Sequence, residues 1–174
     1  WEALPDNMGF TFKLRKGVKT HLGNEFTAED VKATFEALLI PENKGGLNAE
    51  YLSVIEGAED IKAGKTKSLS GISIPDPYTI TIKFTKADVL FPIYPFYFMD
   101  KTAVEKGGAD WYLKSSAGTG PFKFVKWDRG QNVTLAKHAE YWGDKAKVDG
   151  VEFLIVPSPD TAISMFEAKE LDVV

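Results

Sequence analysis

Phe10-Thr11-Phe12-Lys13-Leu14-Arg15-Lys16-Gly17 and, further on, Phe26-Thr27-Ala28-Glu29-Asp30-Val31 carry the reading of this chain. Apolar and polar residues alternate through the first stretch, as a half-buried strand requires, because successive side chains point to opposite faces. Lys16-Gly17 ends that strand. The second stretch predicts a helix start. Thr27 can cap the Asp30 N–H, Asp30 places a negative charge in the first turn, and Phe26 with Val31 forms a hydrophobic staple. Val31, Phe35, Leu38 and Leu39 continue as one apolar stripe that stops before Pro41.

Working outward, Gly45-Gly46 breaks the chain, and Leu52, Ile55 and Ile61 recur at roughly helical spacing, which predicts a second helix over residues 48–63. Ile72-Ser73-Ile74, the turn Pro75-Asp76-Pro77 and residues 78–85 predict an antiparallel hairpin, with Tyr78, Ile80, Ile82 and Phe84 sharing one face. The aromatic run 91–98 contains Pro92 and Pro95, so it is expected to cross the core as irregular or short helical chain. A short helix is expected at 109–114. Gly118-Thr119-Gly120-Pro121 opens a second hairpin, 122–127 and 133–138, turned through Asp128-Arg129-Gly130-Gln131. A strand at 151–156 leads to Ser158-Pro159-Asp160, where Ser158 caps a helix whose buried face is Ile163 and Phe166. Leu171-Asp172-Val173-Val174 reads as strand. Hairpins interleaved with helices predict an α+β or mixed α/β fold, not a doubly wound parallel sheet.

With 174 residues, 44% apolar and 26% charged, the chain suits one ordinary domain or part of a larger one, and the disordered and collagen-like classes are excluded. A net charge of −4 without a basic stretch excludes nucleic acid as a partner, since phosphate neutralisation dominates that affinity. Zero cysteines exclude disulfides, thiolate metal sites and a cysteine nucleophile. The apolar run 89–99 holds two prolines and is about half the length of a membrane helix. The chain lacks an initial Met, a signal segment and a lipid-attachment cysteine, and is expected to be an excised piece of a longer protein.

Candidates for chemistry are few. His21 is read as a turn residue and His138 as an exposed strand residue; so far apart, they make no metal motif, and no cofactor is expected. Asp149, Glu152, Asp160 and Asp172 could supply the carboxylate pair of a glycoside hydrolase, but no mechanistic spacing links them. Gly118-Thr119-Gly120-Pro121 precedes a strand and lacks the Lys-Ser/Thr of a phosphate loop, so a turn is the better account. Aromatics make up 13% of the chain, and Phe91, Tyr94, Phe96, Tyr97 and Phe98 serve either as core or as the wall of a ligand site.

Residues 10–19, His21 to Gly23 and 26–31, then Gly118-Thr119-Gly120-Pro121-Phe122-Lys123-Phe124, Glu140-Tyr141-Trp142-Gly143 and Glu170-Leu171-Asp172-Val173, resemble the signature of the family 5 extracellular solute-binding proteins. These are the peptide- and nickel-binding subunits of ABC importers. The resemblance spans nearly the whole chain in the family's order. It departs at Leu22, where an acidic residue is usual, and at Glu25, where proline is common. It implies most of the first lobe of a class II periplasmic-binding-protein-like fold with a mixed sheet. Residues 28–115 would approximate a helical and hairpin subdomain, 1–27 with 116–174 would belong to the main sheet lobe, and the second lobe would be absent. It further implies capture of a peptide or similar small solute without catalysis, delivery to a membrane permease, and a periplasmic or cell-surface lipoprotein location. Asn48, Tyr51, Val173 and Val174 are the ligand-side residues the resemblance suggests. An oligosaccharide or nickel-chelate receptor is the alternative within the fold.

Overall fold

Strand β2 (Gly9–Lys13) forms where the alternating stretch predicts it. The computed structural model describes residues 1–107 and 116–174, so the helix expected at 109–114 lies outside the described residues. β2 sits between β1 (Glu2–Ala3) and β4 (Thr79–Lys83), with β3 (Ile72–Asp76) beyond β4. The register pairs Phe10 with Ile82 and Phe12 with Ile80, which puts the four side chains on one face. Helix α1 (Ala28–Leu39) sends Val31, Phe35 and Leu39 into the same buried cluster as Phe10, Ile80, Ile82 and Phe84. Each such side chain removed from water contributes about 1.5–3 kcal/mol before entropy is counted.

The start of α1 is a capping box, in which the Thr27 side chain faces the Asp30 N–H as expected and Asp30 reciprocates. The Asp30 carboxylate reaches back and accepts from the Thr27 N–H at 2.7 Å and the Thr27 hydroxyl at 3.1 Å. Its other oxygen accepts the Lys101 N–H at 2.7 Å, tying α1 to the start of α4 (Lys101–Gly107).

The single helix expected over 48–63 is instead two short ones, α2 (Leu47–Leu52) and α3 (Ala58–Lys62). Between them Ile55 pairs with Phe84 as an isolated antiparallel bridge, and Gly57 turns with φ +88°. A side chain at Gly57 would also meet Ser70 at under 3 Å, so the break is built into that residue. Leu52, Ile55 and Ile61 are all buried, so the periodicity reports a common core face and not a continuous helix.

The aromatic run crosses the core as expected, with a 3-10 turn at Phe91–Ile93 and irregular chain after it. Phe91 is buried, and Tyr94, Phe96 and Phe98 pack against the cluster from its edge.

The chain divides into two compact units: residues 1–120 with 140–144, and residues 121–139 with 145–174. The β2–β4 pairing lies inside the first unit and joins residues on both sides of the boundary expected at 27/28. The second unit is an antiparallel meander of β5 (Phe122–Asp128), β6 (Asn132–Lys137) and β7 (Gly150–Leu154), followed by α5 (Pro159–Glu167). All strand pairings of both sheets are antiparallel, so the α+β class is realised without the parallel pairs of a mixed sheet among the described residues. Ser158 accepts the Thr161 N–H at 3.4 Å and Pro159 opens the helix, as predicted.

Three expectations for the second unit fail. Ile163 and Phe166 are 49% and 45% exposed, so α5 keeps its apolar stripe but buries none of it. His138 is 1% exposed, because its N–H closes on the Pro121 carbonyl at 2.8 Å and draws the end of β6 inward. Residues 171–174 form no strand. No helix among the described residues is long and apolar enough to cross a membrane.

Gly9 is where the first sheet tolerates least change. Its φ is +145°, and a Cβ there would stand 2.1 Å from the Ile82 carbonyl oxygen, a backbone atom fixed by the β2–β4 ladder. Gly9→Ala is expected to cost about 2–3 kcal/mol through strain and overpacking, read as faster amide exchange along β2 and β4. Unchanged exchange would refute this.

Candidate functional site

Asn48 and Tyr51 lie on α2, whose six residues are set by Gly46 at one end and the Leu52 core anchor at the other. Both side chains are half-buried. The Tyr51 ring lies flat on Tyr94, with centroids 4.3 Å apart and planes within 15°. Tyr94 is fixed in turn, because its hydroxyl donates to both oxygens of Asp88 at 3.2 and 3.0 Å. Burial, reinforced by the Asp88 carboxylate, raises the Tyr94 pKa, so the phenol stays a proton donor. Asp88 also accepts the Leu90 N–H at 3.0 Å. The result is a rigid aromatic ledge that costs little side-chain entropy when something lies against it. Val173 and Val174 belong to the second unit and are 82% and 67% exposed. Neither unit by itself brings the four expected residues together.

A second constellation unites motifs nearly a hundred residues apart. The His21 N–H donates to the Gly118 carbonyl at 2.8 Å, and the ring spans Ser116 (Nδ1 to Oγ, 2.6 Å) and the Gly120 carbonyl (Nε2 to O, 3.0 Å). A carbonyl only accepts, so Nε2 carries the proton; in the neutral ring Nδ1 then accepts from the Ser116 hydroxyl. The Nε2 partner is an uncharged backbone carbonyl. His21 sits in a turn, where it is expected, and its ring clasps the two signature loops.

Beside the clasp, Asp100 is 1% exposed and accepts four hydrogen bonds. Thr20 Oγ1 (2.7 Å) and Asn24 Nδ2 (2.9 Å) meet Oδ2, while Thr102 N (2.9 Å) and Thr102 Oγ1 (2.6 Å) meet Oδ1. Burial alone would raise its pKa. The donors on Thr102, Thr20 and Asn24 outweigh burial and hold the carboxyl below the usual aspartate value.

Glu25, one of the departures from the family pattern, accepts from the Tyr78 hydroxyl at 2.6 Å and the Gly17 N–H at 2.8 Å, which lowers its pKa and raises that of Tyr78. Sequence reading missed the clasp's geometry, the Asp100 network and the Tyr51–Tyr94 stack. The first was signalled by the resemblance through both loops, whereas nothing local marks Asp100 or pairs the two tyrosines.

The four carboxylates considered for hydrolysis are all exposed, and Glu152 accepts from Asn132 Nδ2 at 2.6 Å. Among the described residues no group of three or more His, Asp or Glu side chains is placed to hold a metal ion.

Comparison with known proteins adds the lineage. The dipeptide-binding protein DppE of Bacillus subtilis (strain 168) is 30% identical over 99% of this chain and 33% of its own length. Heme-binding protein A of Haemophilus influenzae is 30% identical over the full chain and 34% of its own length. The crystal structure of Haemophilus influenzae OppA in complex with RPPGFSPFR superposes with a TM-score of 0.85 at 28% identity, over 99% of this chain and 35% of that one. The chain therefore spans about a third of the length of the relatives it matches. The sequence model of the bacterial extracellular solute-binding proteins, family 5, middle region, matches residues 1–174, and the chain belongs to that family.

Proposed function

We propose that this chain is part of the substrate-binding component of an ABC importer, which captures dipeptides or longer peptides outside the cytoplasmic membrane and hands them to a membrane permease. The observation that carries this reading is the family match over the whole chain, joined to relatives named for dipeptide binding and solved with a bound peptide. The working location is the periplasm or the cell surface, as a lipoprotein. No bond is made or broken; the exposure of Asp149, Glu152, Asp160 and Asp172 fits that role.

On this reading Asn48 and Tyr51 contribute to the ligand side of the first unit, and Val173 and Val174 to that of the second. The stacked Tyr51 offers a face to peptide side chains of any type, which a generic receptor needs. Calorimetric titration of the full-length protein with di- and oligopeptides is the test. Saturable peptide binding that Tyr51→Ala weakens by about tenfold, or about 1.4 kcal/mol, is expected. Absence of binding to any peptide would end the reading. The heme-binding relative, equally identical and equally covered, favours a second reading as a receptor for a non-peptide solute, so hemin belongs in the same titration.

A further inference from the structure

Inside the first unit, the inner face of β2 and β4, helix α1 and the 91–98 crossing line a partly open cavity of about 160 Å³. Its walls are predominantly apolar and aromatic, among them Phe12, Phe35, Ile80, Ile82, Phe91 and Phe96. The single hydroxyl in the lining, that of Tyr94, is bound to Asp88. Water needs two to four polar partners to settle in a cavity, and a dry apolar cavity of about 150 Å³ is large enough to take benzene. Walls this poor in polar groups disfavour an ion, which would lose its hydration for few partners in return.

The rings already in place show how another ring would sit. Phe35 meets Phe96 edge to face at 4.9 Å and Phe91 at 6.2 Å, and Phe84 meets Phe91 at 4.8 Å. One more six-membered ring can join this array in the same tilted geometry and gain dispersion contacts that the cavity walls now lack.

We propose that this cavity is a binding site for a small, uncharged, single-ring arene. Asn48, Tyr51, Val173 and Val174 do not line it, although Tyr94, on which Tyr51 stacks, does. The site's role would be to hold a compact apolar molecule within the first unit, with occupancy adding to the unit's stability by linkage.

The test uses the full chain in solution with benzene and fluorobenzene as probes and benzoate as the charged control. Intermolecular NOEs from benzene to the methyl groups of Val31, Ile80 and Ile82 are expected, together with a saturable rise in the thermal midpoint that benzoate does not produce. Val31→Phe, which fills the cavity from α1, is expected to weaken benzene binding at least tenfold. The proposal is overturned if benzene near its aqueous solubility gives no NOE to those methyls, if benzoate binds as well as benzene, or if folded Val31→Phe retains wild-type affinity. Should Val31→Phe fail to fold, the NOE measurement on the unmodified chain decides alone.

Discussion

Phe35→Ala is expected to lower the stability of the first unit by about 4 kcal/mol, near the top of the range for deleting a buried ring. Phe35 is 1% exposed and stands where helix, sheet and aromatic crossing meet. Besides Phe91 and Phe96, its ring contacts Phe98 at 5.5 Å. Removing the ring deletes its contacts with Phe91, Phe96 and Phe98 together, and the void adjoins the cavity already beside it. Against a total stability of about 5–15 kcal/mol for a domain of ordinary size, this loss leaves a large part of the unit open. Native-state hydrogen exchange at the β2 and β4 amides is the measurement, because it isolates this unit from the other. Phe35→Leu should lose less than half as much. A loss below about 1.5 kcal/mol for the alanine variant would mean that the aromatic array contributes far less than its burial implies.

Asp100→Ala is the second large effect, at about 3 kcal/mol. The variant removes one carboxylate and leaves three residues' donors to find new partners, among them the hydroxyl of fully buried Thr20. Asp100→Asn should recover little, because its amide NH₂ would face N–H or O–H donors on one side or the other.

The pH dependence follows from the direction of the shift. A carboxyl whose pKa is lower in the folded state than in the unfolded one stabilises the fold above the unfolded value of about 3.9. That contribution fades as the pH falls from about 5 through the folded pKa. Glu25 and Asp76 are shifted the same way, so wild type should lose stability on acidification in any case. The informative quantity is the gap between wild type and Asp100→Ala, expected to be full at neutral pH and to close toward pH 3. Urea titrations at a series of pH values measure it, and a gap that stays constant would show that the carboxylate's charge is irrelevant to the clasp.

Much of the first unit was legible because local rules and tertiary packing agree there. The alternation in β2, the hairpin face of Ile80 and Ile82, and the stripe Val31-Phe35-Leu39 each follow from the period of one element. Residues 48–63 were misread because Leu52, Ile55 and Ile61 satisfy a helical spacing while pointing to the core from two helices and a bridge. Gly57 was the signal that should have divided them. In the second unit, α5 shows the opposite limit: periodicity identifies an apolar stripe at Ile163 and Phe166 but says nothing about what, if anything, lies over it.

The candidate site was legible only in outline. Tyr51 could be picked from the resemblance, but its partner Tyr94 lies across a helix, a hairpin and a loop, and stacking is a property of the folded core. The same holds for Asp100, whose donors come from Thr20, Asn24 and Thr102. His138, read as exposed from its place at a strand end, is buried by the backbone closure on Pro121, a contact between the two ends of a hairpin.

The threading of the backbone bears on how the molecule is made. Residues 140–144 return to the first unit after 121–139 have entered the second, and Trp142 then stacks under the Arg15 guanidinium at 4.8 Å. On a ribosome adding about 5–20 residues per second, Trp142 emerges about one to four seconds after Gly120. The first unit therefore gains this contact only after the β5–β6 hairpin has been made.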